Sequence, residues 1–167
     1  HATTGFKGSV VVSSSQSLAA ISNILGLGTS KTGAGSYVAP TLGSTTVSIP
    51  LLMKGNSGID TWFSVQNTDS KTDATVNVAY SDGTEAGPIT VKPGSSHVFD
   101  QATETHTLKV FAATVTANVD IAVVAIEETS NNILYAYTGF VAGATNPVMP
   151  LINSNNNGNI TGVQIQN

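Results

Sequence analysis

The residues best placed to do chemistry are three histidines, His1, His97 and His106. A histidine at the start of a chain can offer its α-amine and its imidazole to one metal ion. A second imidazole from His97 or His106 would complete a nitrogen set suited to copper. Against that reading, His97 sits between Ser96 and Val98 in a stretch patterned as a strand, where decoration of the strand is the simpler role. Asp69, Asp73, Asp82 and Glu85 lie in turn-like segments and offer oxygen ligands of the kind calcium takes, but their spacing fits no strict calcium loop, so solvated turn residues are expected. Ser95, Ser96, His97 and Asp100 contain the residue types of a catalytic triad without a nucleophile elbow. The segment 28–33, GTSKTG, resembles a phosphate loop only faintly, because Ser30 stands before Lys31 where glycine is required and no helix signal follows. Asn159-Ile160-Thr161 is the one N-glycosylation sequon. The expectation is a protein with no catalytic residues and no cofactor.

Composition narrows the partners. Charged residues make up 10% of the 167, against about 25% in an ordinary soluble domain. Polar positions carry Ser, Thr, Asn, Gln and Gly instead, as on the exposed faces of extracellular β proteins. There is no arginine, the six lysines are scattered singly, and the net charge is −4. Nucleic acid and anionic membrane are therefore poor partners. Cysteine is absent, which excludes disulfides, thiolate metal sites and a cysteine nucleophile. No apolar run reaches the roughly 18 residues of a spanning helix, so no membrane insertion is expected. His1-Ala2-Thr3-Thr4 reads either as a mature N-terminus left by signal-peptide removal or as an artificial chain boundary; the first is favoured and would place the protein outside the cell or on its surface.

The elements that must position these residues are strands. Helix signals are weak, β-branched residues are frequent, and turn residues recur about every 8–12 positions, which favours a sandwich. Ala74–Tyr80 alternates, with Val76, Val78 and Tyr80 facing inward. Ser81-Asp82-Gly83-Thr84 predicts a hairpin turn and Pro93-Gly94 a type II turn. Further strands are predicted at 89–92, 96–99, 107–116, 121–127 and 133–140. Ile121–Ile126 is continuously apolar, as for a strand buried on both faces.

The most specific feature is an internal repeat. Ser48-Ile49-Pro50-Leu51-Leu52 matches Val148-Met149-Pro150-Leu151-Ile152, and 58–67 matches 158–167, at a constant offset of 100. Tyr37 and Tyr137, Gly43 and Gly143, and Thr45 and Thr145 keep that offset. Residues 12–23 match 115–126 at offset 103, so three residues would differ in the Gly-rich loop 26–35. A repeat of about 100 residues is one immunoglobulin-sized sandwich. The chain thus divides into an N-terminal partial repeat (1–47), a complete repeat (48–147) and the start of a further repeat (148–167). The expected fold is an all-β, Ig-like sandwich with extra strands from the partial repeats.

Ile49-Pro50-Leu51-Leu52-Met53-Lys54, followed by Gly58-Ile59-Asp60-Thr61 and Val65-Gln66-Asn67, resembles tandem repeats of large secreted surface proteins from filamentous thermophilic bacteria. The strand and turn of residues 74–84 resemble the same repeats. Trp62 follows Thr61 here, where those repeats place tryptophan before threonine, and the copy at 149–167 has no tryptophan. The resemblance implies a structural role at the cell surface.

Partial repeats leave sheet edges that recruit strands. The segment 159–167 is strand-like, with Ile160, Val163 and Ile165 as its apolar residues, and is the candidate donor. If it completes the N-terminal sheet of the next copy, the contact is head-to-tail, and such contacts build filaments when they do not close. A glycan on Asn159 would conflict with that burial. The expected partners are copies of the same chain, with glycans as a second class. The alternative functions are an adhesion or carbohydrate-binding module and, behind it, a secreted copper monooxygenase acting through His1.

Overall fold

A computed structural model describes residues 5–26, 33–129 and 133–167, and His1 lies outside them. The strands are β1 (Ile21–Leu25), β2 (Ala34–Val38), β3 (Ser44–Met53), β4 (Ile59–Asn67), β5 (Ala74–Tyr80), β6 (Glu85–Val91), β7 (Ser96–Asp100), β8 (Val110–Thr129) and β9 (Leu134–Thr138). Among the described residues there is no helix. The protein is all-β and sandwich-like, as the residue pattern requires.

β8 organises the architecture. Its first half lies between β3 and β5, with Val115 opposite both Val47 and Val78. Its second half lies between β4 and β9, with Ala125 opposite both Phe63 and Tyr137. β6 extends the first layer beyond β5, and β7 extends the second beyond β4. One 20-residue strand therefore belongs to both layers. The sequence predicts two strands here, 107–116 and 121–127, and the structure joins them. The joining segment, Ala117-Asn118-Val119-Asp120, contains neither Gly nor Pro and is pegged from outside. The Asn118 side chain accepts from the Thr75 amide (2.6 Å) and donates to the Asp73 carbonyl (3.2 Å), while the Asp120 carbonyl accepts from the amide and the hydroxyl of Thr68.

The inward residues form one core that includes Val47, Ile49, Phe63, Val65, Val76, Val78, Val115 and Val123. β5 alternates as expected, with Ala74, Val76, Val78 and Tyr80 buried and Thr75, Asn77 and Ala79 exposed. Both predicted turns form, with Gly83 and Gly94 in the left-handed region at φ 85° and 68°. β6 begins at Glu85, four residues before the predicted start at Ile89, because the tight turn lets pairing resume at once: Ala79 faces Glu85. The run Ile121–Ile126 is buried on both faces apart from the half-buried Val124. Ile121, Val123 and Ala125 join the core, and Ala122 faces the segment Val38–Leu42 that leads out of β2.

Two of the four buried polar residues among those described, Asn67 and Glu127, bear on stability. Asn67, fully buried at the end of β4, donates to the carbonyls of Thr72 (2.8 Å) and Val91 (2.9 Å) and accepts from the Asp69 amide (2.9 Å). It fastens the 68–73 loop and the end of β6 to the second layer. Glu127 is buried on β8, and burial raises its carboxyl pKa above the ordinary value.

Asn67→Ala should destabilise the chain by about 2–4 kcal/mol, since it leaves buried carbonyls without donors. Urea unfolding with an unchanged m-value checks this. Because the folded-state pKa of Glu127 is raised, this group favours folding while protonated and disfavours it once pH rises through that pKa. Glu127→Gln should therefore raise Tm at pH 7 by about 2–4 °C, equivalent to about 1 kcal/mol. The advantage should close as pH falls toward 4.5, the ordinary value for this carboxyl.

Candidate functional site

Two of the candidate metal ligands meet beneath the β5–β6 turn. Asp82 turns one carboxylate oxygen toward the amide (3.0 Å) and hydroxyl (2.6 Å) of Thr84. Its other oxygen lies 3.2 Å from His106 Nδ1 and accepts from the Thr107 amide at 2.8 Å. The His106 ring stacks on Phe111 (centroids 4.1 Å apart) and meets Tyr80 edge-on (4.7 Å). The Tyr80 hydroxyl donates to Glu104 at 2.6 Å. Lys54 donates to the backbone carbonyls of Ala102 and Glu104. Burial by itself would raise the pKa of Asp82, but the hydrogen bonds from Thr84, Thr107 and Leu108 outweigh it and hold the carboxyl well below its usual range. Burial first, and then the Glu104 carboxylate, push the Tyr80 hydroxyl far up.

This network is a brace. It ties the connection 101–109 to the hairpin turn, and the side chains of Asp82 and His106 are fully enclosed. His106 Nε2 and both amide atoms of Gln101 are buried without a hydrogen-bond partner. In the sequence, Asp82 and His106 stand apart as calcium and copper candidates. The fold brings them together as a carboxylate–imidazole pair.

The other candidates stay apart. His97 lies on β7 opposite Val65, its ring edge-on to Phe99 at 4.8 Å. Asp69 accepts from the amides of Lys71 and Thr72 (2.7 Å each), which lower its pKa. Asp73 pairs with Lys92 at 2.6 Å, and Glu85 is exposed at the start of β6. Among the described residues, no group of three or more His, Asp or Glu gathers to hold a metal ion. The phosphate-loop-like segment 28–33 lies outside the described residues apart from Gly33. Two crevices are open to solvent, one apolar between Val38–Leu42 and β9 (about 310 Å³) and one polar around Asp69 and Asp120 (about 460 Å³). Neither collects convergent catalytic groups.

The unusual surface lies at the two ends of the described chain. Of the exposed large apolar residues, nine fall between Phe6 and Leu42, seven between Val148 and Ile165, and six elsewhere. Ile160 is 80% exposed, Val163 44% and Ile165 84%. Every Asp and Glu lies between Asp60 and Glu128, so neither end carries an acidic residue. Apolar surface this extensive, without acidic residues to protect it, is a feature of interaction sites.

The ends also repeat the geometry of the core. β1 pairs with β2 in the register that joins β8 to β9. Ile21 faces Val38 as Val124 faces Thr138, and Leu25 faces Ala34 as Glu128 faces Leu134. The bonds flanking the two hairpins also correspond: Gly26 N–H to Gly33 O matches Thr129 N–H to Ile133 O, and Ala39 N–H to Ala20 O matches Gly139 N–H to Val123 O. The change of offset from 103 to 100 falls between these paired strands. At the other end, the turn between β3 and β4 recurs. Gly55, Ser57 and Gly58 have φ of 56°, 52° and 78°, and Asn155, Asn157 and Gly158 have 53°, 50° and 79°. Asn56 bridges Ile59 as Asn156 bridges Asn159. The Met53 amide donates to Thr61 Oγ1 at 3.0 Å, and the Asn153 amide donates to Thr161 Oγ1 at 2.8 Å. Beyond this turn, residues 160–167 make no strand ladder, although the sequence reads as a strand. A strand needs a partner edge, and β8 already has its edges occupied by β3, β5, β4 and β9. The Asn159 sequon lies in this exposed turn, its side chain donating to the Asn156 carbonyl at 3.2 Å.

Since the Asp82 pKa is lowered in the folded state, its contribution is present above pH 3.8, its ordinary value, and is lost as pH falls through the lower folded value. Asp82→Asn should cost about 1–2 kcal/mol at pH 7. The gap from the parent should narrow progressively below pH 3.8 in pH-dependent unfolding.

No protein-family model, no curated protein and no solved structure matches this chain.

Proposed function

We propose that the protein is a structural subunit of an extracellular filament or surface layer, assembled head-to-tail by β-strand addition between copies. The observation that carries this reading is the C-terminal turn. It has the backbone of the β3–β4 turn, yet the apolar strand positions after it, Val163 and Ile165, stand in solvent where their counterparts Phe63 and Val65 are fully buried. The segment's Gln166 side chain reaches the Ala113 carbonyl and the Thr114 hydroxyl of β8, but its apolar strand positions stay exposed and fit a sandwich supplied by another copy. β1 provides an edge that hydrogen-bonds only to β2 among the described residues. The scarcity of charge and the enclosure of the His106 side chain fit a structural role.

Deleting residues 159–167 should abolish assembly seen by negative-stain electron microscopy. The truncated chain should keep its β circular dichroism and a cooperative unfolding transition. Normal filaments or layers from the truncated chain would overturn the reading.

A further inference from the structure

We infer that the donated segment docks on one defined edge in one defined register: residues 160–164 of one copy pair antiparallel with β1 of the next. Ile160 lies opposite Leu25, Val163 opposite Ser22 and Gln164 opposite Ile21. This deepens the strand-addition reading and rests on it.

The register follows from superposing two hairpins that the chain already contains. β1–β2 is congruent with β8–β9, shifted by 103 residues on the first strand and 100 on the second. The tail is congruent with the start of β4, shifted by 100. Within the chain, β4 lies on the edge of β8 away from β9, with Asp60 opposite Glu128, Phe63 opposite Ala125 and Ser64 opposite Val124. Carrying both shifts across gives the stated pairs, and β1 presents the corresponding edge away from β2.

Side-chain chemistry agrees with the transferred register. Asp60 and Glu128, two carboxylates on opposed positions of the native pair, become Ile160 and Leu25, exposed at 80% and 63% in the single chain. Glu127, whose burial is unfavourable to its charge, becomes Ile24. Like charges directly opposed would weaken such a pair, and apolar pairs strengthen it. The usual protections of a sheet edge, lysine, proline and inward charge, are absent from Ile21–Leu25.

A second contact follows from the same superposition. Tyr137 on β9 reaches β3, where its hydroxyl donates to the Leu51 carbonyl and accepts from the Leu51 amide at 3.3 Å. The counterparts are Tyr37 on β2 and Leu151 in the tail. Tyr37 makes no hydrogen bond through its hydroxyl among the described residues, and Leu151 is 71% exposed. In the joined copies, Tyr37 would fasten the neighbour's Leu151 backbone.

The chain has no cysteine of its own, so cross-linking reads the register directly. Directly opposed antiparallel residues fall within disulfide reach, and residues three positions out of register do not. Ser22→Cys chains mixed with Val163→Cys chains should give a covalent dimer on mild oxidation, and Ser22→Cys mixed with Ile160→Cys should not. Tyr37→Phe should weaken assembly at least fivefold in critical concentration while leaving the unfolding midpoint unchanged. If copies assemble but the Ser22–Val163 dimer is missing, or the out-of-register pair forms instead, the register is wrong and strand addition survives. If the parent chain does not assemble at all, the strand-addition reading itself fails. A Ser22→Cys/Val163→Cys double variant that closes only within single chains overturns the inference as well.

Discussion

The structure depends on β8 serving both layers. Its 20 residues give the first layer a centre between β3 and β5 and the second a centre between β4 and β9. Each half needs a partner on both sides, because its backbone groups are buried and must be paired. The junction between the halves is held by Asn118 and by the Thr68 bonds to Asp120, and the adjoining loop is held by Asn67. A few polar side chains thus fasten the junction of layers whose cohesion is apolar.

That dependence gives the terminal segments their meaning. A strand with the character of the second half of β8 calls for a β4-like neighbour, and β1 is such a strand. A turn with the character of the β3–β4 turn calls for a β8-like neighbour, and the tail carries such a turn. In the proposed assembly, the two ends of the chain supply the two halves of one contact. Two complementary halves on different surfaces make a heterologous interface, which propagates into a line of subunits unless its rotation closes a ring.

The Asp82–His106 pair shows how residues suited to chemistry can serve architecture. A carboxylate beside an imidazole, ringed by Tyr80 and Phe111, is a common arrangement at catalytic and metal centres. Here it is sealed, and the carboxylate is occupied by Thr84 and Thr107. The bonds hold the 101–109 connection against the hairpin, where apolar residues alone would not fix its path. Lys54, reaching the carbonyls of Ala102 and Glu104, closes the same connection from the β3–β4 side.

Much of the fold was legible in the sequence because strand period and turn chemistry are local. The alternation of Ala74–Tyr80 is a two-residue pattern, and Asp82-Gly83 and Pro93-Gly94 bend the chain through their own backbone preferences. The repeated Pro-Leu and Gln-Asn spacings also foreshadowed the twin turns, since a backbone turn follows from a handful of adjacent residues. The continuity of β8 was not legible, because whether Asn118–Asp120 breaks a strand depends on the loop that pegs it from 52 residues away in the chain. The union of Asp82 with His106 was hidden for the same reason, as was the role of Asn67, which a repeated Asn at 167 signals without explaining. The sequence by itself determined an all-β chain, its turns and the internal offset, all of which rest on local conformational preference. Only the tertiary structure decided which edges are filled and which stand open, because an edge is defined by the strand that does or does not lie beside it.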